Sequence, residues 1–226
     1  METEVSRLKN TECGSPIIKI AITGPPGSGK SVAGHFLEQL GLPIIDTDKL
    51  SRQAVEPGSA CLERLQVFFG PGILNADQTL NRQMLMSAIL KDHSLRRQAE
   101  AILHPEIFRL MKHEIDWVSS QGHKIVIAEV PLLFEAGWQE FFDVTIAIYA
   151  THLKCYEHLV KKRGVSAKLA NAMLAAQLSG EEKAMLADFV VNNTGTMADF
   201  TKELERLADF IIGSSIMYRK EQILCL

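Results

Sequence analysis

Gly24, Gly29, Lys30 and Ser31 stand at the fixed positions of G-x-x-x-x-G-K-[ST] in the stretch GPPGSGKS. Glycines let the backbone fold so that successive N–H groups point inward and cradle phosphate oxygens. A helix beginning there adds partial positive charge. In such a loop Lys30 reaches the β- and γ-phosphates and Ser31 gives its hydroxyl oxygen to Mg²⁺. Pro25, Pro26, Gly27 and Ser28 supply the rest of the cradle, and Val32 follows in the first helical turn. The alternative, a Gly/Pro turn with a chance lysine, does not account for the apolar run IIKIAIT before the loop or the helical spacing after it. A nucleoside triphosphate, with Mg²⁺ at Ser31, is the expected ligand; the loop alone does not say which reaction follows.

Three further residues carry chemistry. In IIDTDKLSRQ, Asp46 and Asp48 are spaced i, i+2 at the end of a short apolar run. Carboxylates there can serve as a base and as a metal or water holder; the alternative for one of them is to cap the next helix. Arg163, in KKRG, closes a basic helical run. It is read either as a solvated helix end or as the mobile cation of a lid. A guanine-binding N-K-x-D is absent, VNNTG being the nearest stretch, and IVIAEVPLLFE ends in Glu129 rather than Asp-Glu. A GTPase and a motor ATPase are therefore disfavoured. A carboxylate at the acceptor and an arginine on a lid suit a small-molecule kinase.

The elements that must position these residues alternate. Strands are expected at 17–22, 43–46, 124–130, 144–150 and 188–193. Helices are expected at 28–40, over a long stretch 61–119, at 152–163, 166–187 and 197–212. Pro105 is placed in the first turn of a new helix, with His104 at its start. The result is an α/β fold, a five-stranded parallel sheet with helices on both faces. In such a sheet ligands sit at the carboxyl ends of the strands, where the loop and the aspartates fall. Trp117 and Trp138 are read as packing residues, and Lys161 and Lys162 as a solvated face.

Composition is consistent with one soluble domain. Of 226 residues, 46% are hydrophobic and 23% charged, and the net charge is -3, so no nucleic-acid partner is expected. No run is long enough to span a membrane. The N-terminal stretch 1–16 is polar and lacks the apolar centre of a signal peptide. Four scattered cysteines and seven histidines form no metal-ligand pattern. A reduced, cytoplasmic setting follows. The oligomeric state is open.

Read in order, TGPPGSGKS, IDTDKLSRQAVEPG, LHPEI, EVPLLFE, KKRG and AAQLSGEEKAMLADFVVNNTG resemble the dephospho-CoA kinase family over residues 17–212. The resemblance implies a P-loop kinase core (about 17–54 and 120–212), a helical CoA-binding insertion (about 55–119) and a lid (about 155–185). Residues 1–16 and 213–226 would be tails. It implies transfer of the γ-phosphate of ATP to the 3′-hydroxyl of dephospho-CoA, the last step of coenzyme A synthesis. Asp48 would be the acceptor-side base with Asp46 beside it. Arg52, His104, Pro131 and Leu132 would lie on the acceptor side, Arg163 would face the phosphates, and Asn193 and Gly195 would lie near the adenine. The sequence departs from the family at Pro25-Pro26, Glu129, Gly164 and Met173. Two other readings stand beside this one: another kinase of the same fold, and a nucleotide-dependent switch.

Overall fold

A computed structural model describes residues 17–223. The polar segment 1–16 lies outside the described residues. Five strands, β1 (Ile18–Thr23), β2 (Ile44–Asp46), β3 (Ile125–Glu129), β4 (Val144–Tyr149) and β5 (Phe189–Asn192), form one sheet in the order β2-β3-β1-β4-β5. Every pairing is parallel; Ile20 sits between Ile127 and Val144. Alternation along β1 explains the layering. Ile20 and Ile22 point to one face, under α1 (Lys30–Gln39) and α9 (Met197–Ile223), where they meet Leu37, Phe200 and Leu204. Ala21 points to the other, under α2 (Thr47–Gln53) and α5 (His93–Ser120), with Leu50, Met111 and Ile115.

The chain leaves β1 towards β2 on one side and later builds β4 and β5 on the other. The reversal occurs at the carboxyl end of β1, where an α/β sheet opens its binding crevice. The phosphate loop begins there at Gly24.

Two smaller units frame the crevice. α3 (Ala60–Phe69), α4 (Arg82–Lys91) and the first half of α5 close on their own core of Leu62, Leu65, Leu85 and Ile102. On the far side, α6 (His152–Glu157), a wider π-type turn over His158–Lys162, α7 (Ala167–Ala175) and α8 (Gly180–Leu186) follow β4. Cys155, Leu159, Ala170 and Leu174 form a small core within them.

The structure corrects several sequence expectations. Pro105 lies inside α5 rather than at a helix start, so His104 is a mid-helix residue. The ring costs the helix one N–H, and the burial of Ile102, Ile107 and Met111 on either side of it holds α5 together through that position. The stretch 61–119 is instead broken elsewhere, where the Asn81 and Asp92 side chains cap new helices. The stretch 166–187 is two helices, because Ser179 and Glu182 form a capping box that starts α8. α9 runs on through Ile223, past the helix end expected at 212; residues 224–226 lie outside the described residues. Trp117 is 57% exposed and not a packing residue.

Candidate active site

The phosphate loop has the backbone its sequence demands. Gly27 and Gly29 adopt φ of 82° and 107°. A Cβ on Gly27 would lie 2.8 Å from the Cys155 carbonyl oxygen, and one on Gly29 2.7 Å from Asn193 Nδ2. Only glycine satisfies both limits. Gly29 is the N-cap of α1, with no side-chain cap and no acidic residue in the first turn. The positive helix end is therefore left open to an external anion. Ser28 Oγ is buried without a hydrogen-bond partner among the described residues, as expected of a cradle that takes oxygen ligands.

Lys30 Nζ donates to the carbonyls of Gly24 at 2.7 Å and Pro25 at 3.0 Å, folded back over the loop. Burial, followed by the Lys183 ammonium, pulls its pKa down to about 8 against the pull of Asp48, Glu129 and Cys155. A half-buried cation resting on carbonyls is poised to exchange them for phosphate oxygens.

The two aspartates divide their work. Asp46 Oδ1 accepts from the backbone N–H of Asp48 at 2.9 Å and of Lys49 at 3.4 Å, capping α2. The Asp48 side chain accepts no hydrogen bond among the described residues and lines a cavity. Burial and then the neighbouring Asp46 raise its pKa, opposed by Lys30, Arg52 and Arg163. Glu129, at the end of β3, is raised by burial and by Asp46, and hydrogen-bonds Ser31. Its carboxylate lies over Gly34 of α1, where a Cβ would collide with Oε1. Among the described residues no three His, Cys, Asp or Glu side chains gather into a metal cage.

Asp48 opens into a cavity of about 320 Å³ between the helical insertion and the core. Pro131, Leu132, His104 and Trp138 line it, as do Arg82 and Met173. The His104 and Trp138 rings meet edge to face at 5.4 Å, so Trp138 both packs and faces the cavity. Burial lowers the His104 pKa against the pull of Glu100 and Glu135, which favours a neutral ring. Arg52 is exposed one turn along α2 from Asp48, and it repels Arg82, whose pKa falls through burial and this like charge. Neither guanidinium forms an ion pair among the described residues.

Arg163 follows the π-type turn, exposed to solvent, and Gly164 after it takes φ of 66°. Its charge is the smallest of those that oppose the rise of the Asp48 pKa. Asn193 is buried behind the loop: its Nδ2 donates to the Ser28 carbonyl at 2.8 Å and its Oδ1 accepts from Lys154 at 2.7 Å. Lys154 also donates to the Gly195 carbonyl at 2.7 Å. Asn193 thus braces the phosphate loop directly, and Gly195 is tied to it through Lys154.

Arg82, Lys154 and Lys183 are the site residues that sequence reasoning missed. Each sits on a helix, Lys154 and Lys183 beside other charged residues and Arg82 at the helix start, where the default reading is a solvated face. Only the i, i+3 capping pattern at Ser179 could have hinted that α8 was a separate element.

The dephospho-CoA kinase family model matches residues 18–199. The dephospho-CoA kinase of Anaeromyxobacter dehalogenans is 36% identical over 188 residues, 83% of this chain and 89% of that protein. That of Geobacillus kaustophilus is 32% identical over 83% of this chain and 93% of its own length. Among solved structures, TT1252 from Thermus thermophilus superposes with a TM-score of 0.72 at 32% identity, covering 85% of this chain and 97% of that one. The dephospho-CoA kinase of Campylobacter jejuni shares the fold, with a TM-score of 0.64 at 24% identity over 87% of this chain and 98% of that one. With the phosphate loop, the freed aspartate and the flanking cavity arranged in that frame, the chain belongs to the dephospho-CoA kinase family.

Proposed function

We propose that the chain transfers the γ-phosphate of ATP to the 3′-hydroxyl of dephospho-CoA, with Asp48 as the acceptor-side base. The observation that carries the residue assignment is the division of labour at α2. Asp46 takes the cap, while Asp48 faces the acceptor cavity within the field of Lys30. The uncapped start of α1 and Lys30 hold the triphosphate. The adenine lies towards the 193–195 turn, while the Asn193 side chain is committed to the Ser28 carbonyl and Lys154 and so acts on the phosphate loop. Ser31 with Glu129 offers the donors that suit Mg²⁺, which usually keeps several waters and takes one or two carboxylates besides phosphate oxygens. When bound, that ion neutralises charge on the phosphates.

The acceptor is placed by the cavity. Its ribose hydroxyl lies at Asp48, which takes or orients the proton. Arg52 and Arg82, which form no ion pair among the described residues, meet the acceptor's own phosphates. The pantetheine arm follows the apolar wall by Leu132 and Trp138. Arg163 turns in over the transferring group when the lid closes and excludes water. Cys61 and Cys155 are both free thiols, in keeping with a reduced cytoplasm.

The test follows ADP release with ATP, Mg²⁺ and a panel of dephospho-CoA, adenosine, AMP and shikimate. Dephospho-CoA is expected to drive turnover above the rest. A higher kcat/KM with shikimate or AMP reassigns the acceptor. ATP binding without acceptor-dependent turnover supports a nucleotide switch instead.

A further inference from the structure

Lys183 has no solvent exposure, although it sits on α8, a short helix with exposed neighbours. An ammonium is rarely buried unless it is paired, since the unsatisfied charge is costly. Its partners come from two separate segments. Nζ donates to the Pro131 carbonyl at 2.5 Å and pairs with Glu135 Oε1 at 2.9 Å; a longer contact reaches Gln177 Oε1 at 3.5 Å. The same Glu135 Oε1 accepts the Leu178 N–H at 2.9 Å. The Pro131 carbonyl also lies 3.4 Å from Thr23 Oγ1, the last residue of β1 before the phosphate loop.

One charge therefore joins three parts: the end of the phosphate-loop strand, the 131–136 wall of the acceptor cavity and the base of the lid. Pro131, Leu132 and Ala136 form part of that wall, and Gln177 lines the cavity from the lid side. Resting on the proposed kinase function, we infer that Lys183 is a positioning residue that sets the acceptor wall against the lid by stapling Pro131 and Glu135 to α8. Lys183 touches no expected substrate atom. Its work is to hold the cavity at the width in which the acceptor hydroxyl meets Asp48, where small displacements cost rate heavily.

A secondary electrical effect separates this role from plain structural support. Lys30 is faced by Asp48 on α2, Glu129 on β3, Cys155 on α6 and Lys183 on α8, and the last repels it. Removing the Lys183 charge raises the Lys30 pKa.

The experiment first establishes the acceptor of the parent enzyme. If that proves not to be dephospho-CoA, the function proposal fails, and the same comparison proceeds with the true acceptor. Lys183→Met, Lys183→Arg, Glu135→Gln and the double variant Lys183→Met/Glu135→Gln are then compared. Lys183→Met is expected to raise the acceptor KM and lower kcat, together costing roughly 10- to 100-fold in kcat/KM. ATP Kd by equilibrium binding should change less than about threefold. The alkaline limb of kcat/KM for ATP should move to higher pH, and Lys183→Arg should recover part of the loss. Glu135→Gln should reproduce the acceptor defect, and the double variant should add little to it, as expected for one coupled unit. Should Lys183→Met fail to fold, the Glu135→Gln and Lys183→Arg measurements carry the test. Equal weakening of ATP and acceptor, or an unchanged acceptor KM in the folded variants, overturns the inference.

Discussion

Asp46 and Asp48 show how much one backbone hydrogen bond can decide. Both are carboxylates at a strand end, yet Asp46 is committed to the N–H groups that start α2, and only Asp48 is free to meet a substrate. Asp48→Asn should lower kcat about 10²- to 10⁴-fold with little change in ATP affinity, measured by steady-state kinetics and nucleotide binding. Asp46→Asn should be far milder in kcat, because asparagine caps as well as aspartate. It has a signed pH effect, however. Asp46 helps raise the Asp48 pKa, so its neutralisation should move the acid limb of the acceptor kcat/KM to lower pH. Lys30 predicts the other limb. Phosphate binds its protonated form, and its pKa in the free loop is about 8. Apparent ATP affinity should therefore fall as pH rises through that value. Lys30→Arg should flatten the decline, since a guanidinium keeps its proton.

At the scale of elements, α1 does two things at once. Its uncapped start receives phosphate, and its Gly34 leaves room for the Glu129 side chain. Gly34→Ala should fold, because the obstructing atom is the mobile end of a glutamate. The displaced carboxylate should raise the Mg²⁺ concentration needed for half-maximal rate several-fold, read from Mg²⁺ titrations at fixed ATP. The lid supplies a second case. Arg163 stands exposed after a π-type turn, and a transition-state arginine can be worth about 10³–10⁵ in rate. Arg163→Ala should lower kcat much more than it raises the acceptor KM, and Arg163→Lys should restore only part. The central strands were legible to within a residue because short β-branched runs between turns have few other readings. The loop was legible because its glycines, lysine and serine are forced by phosphate geometry. The helices were legible as material but not as units. Proline was read as the break in a region where Asn81 and Asp92 actually set the boundaries. Lys183 was opaque for a deeper reason: its partners lie on a segment that only the tertiary fold brings near, and no local spacing encodes that meeting.

For the whole molecule, the sheet order places the earliest strand at the centre. β1 carries the phosphate loop, yet it pairs with no strand that follows directly; its neighbours are β3 and β4, with Ile20 held between Ile127 and Val144. This separates the order of synthesis from the order of assembly. As the chain leaves a ribosome, the glycine loop emerges on an apolar strand with no partner until about a hundred further residues are made. At roughly 5–20 residues per second this is a wait of about 5–20 s. Such non-local parallel pairing is intrinsically slow, and the waiting strand is a surface on which chains can aggregate. α3 to α5 could meanwhile close on their own core, because their contacts are local. Stalled nascent chains ending before β3 should thus show protease-resistant helical structure and no ATP retention, with retention appearing only after β4 has cleared the exit tunnel. The loop that reads most plainly in the sequence is, on this account, among the last parts of the protein to become able to act.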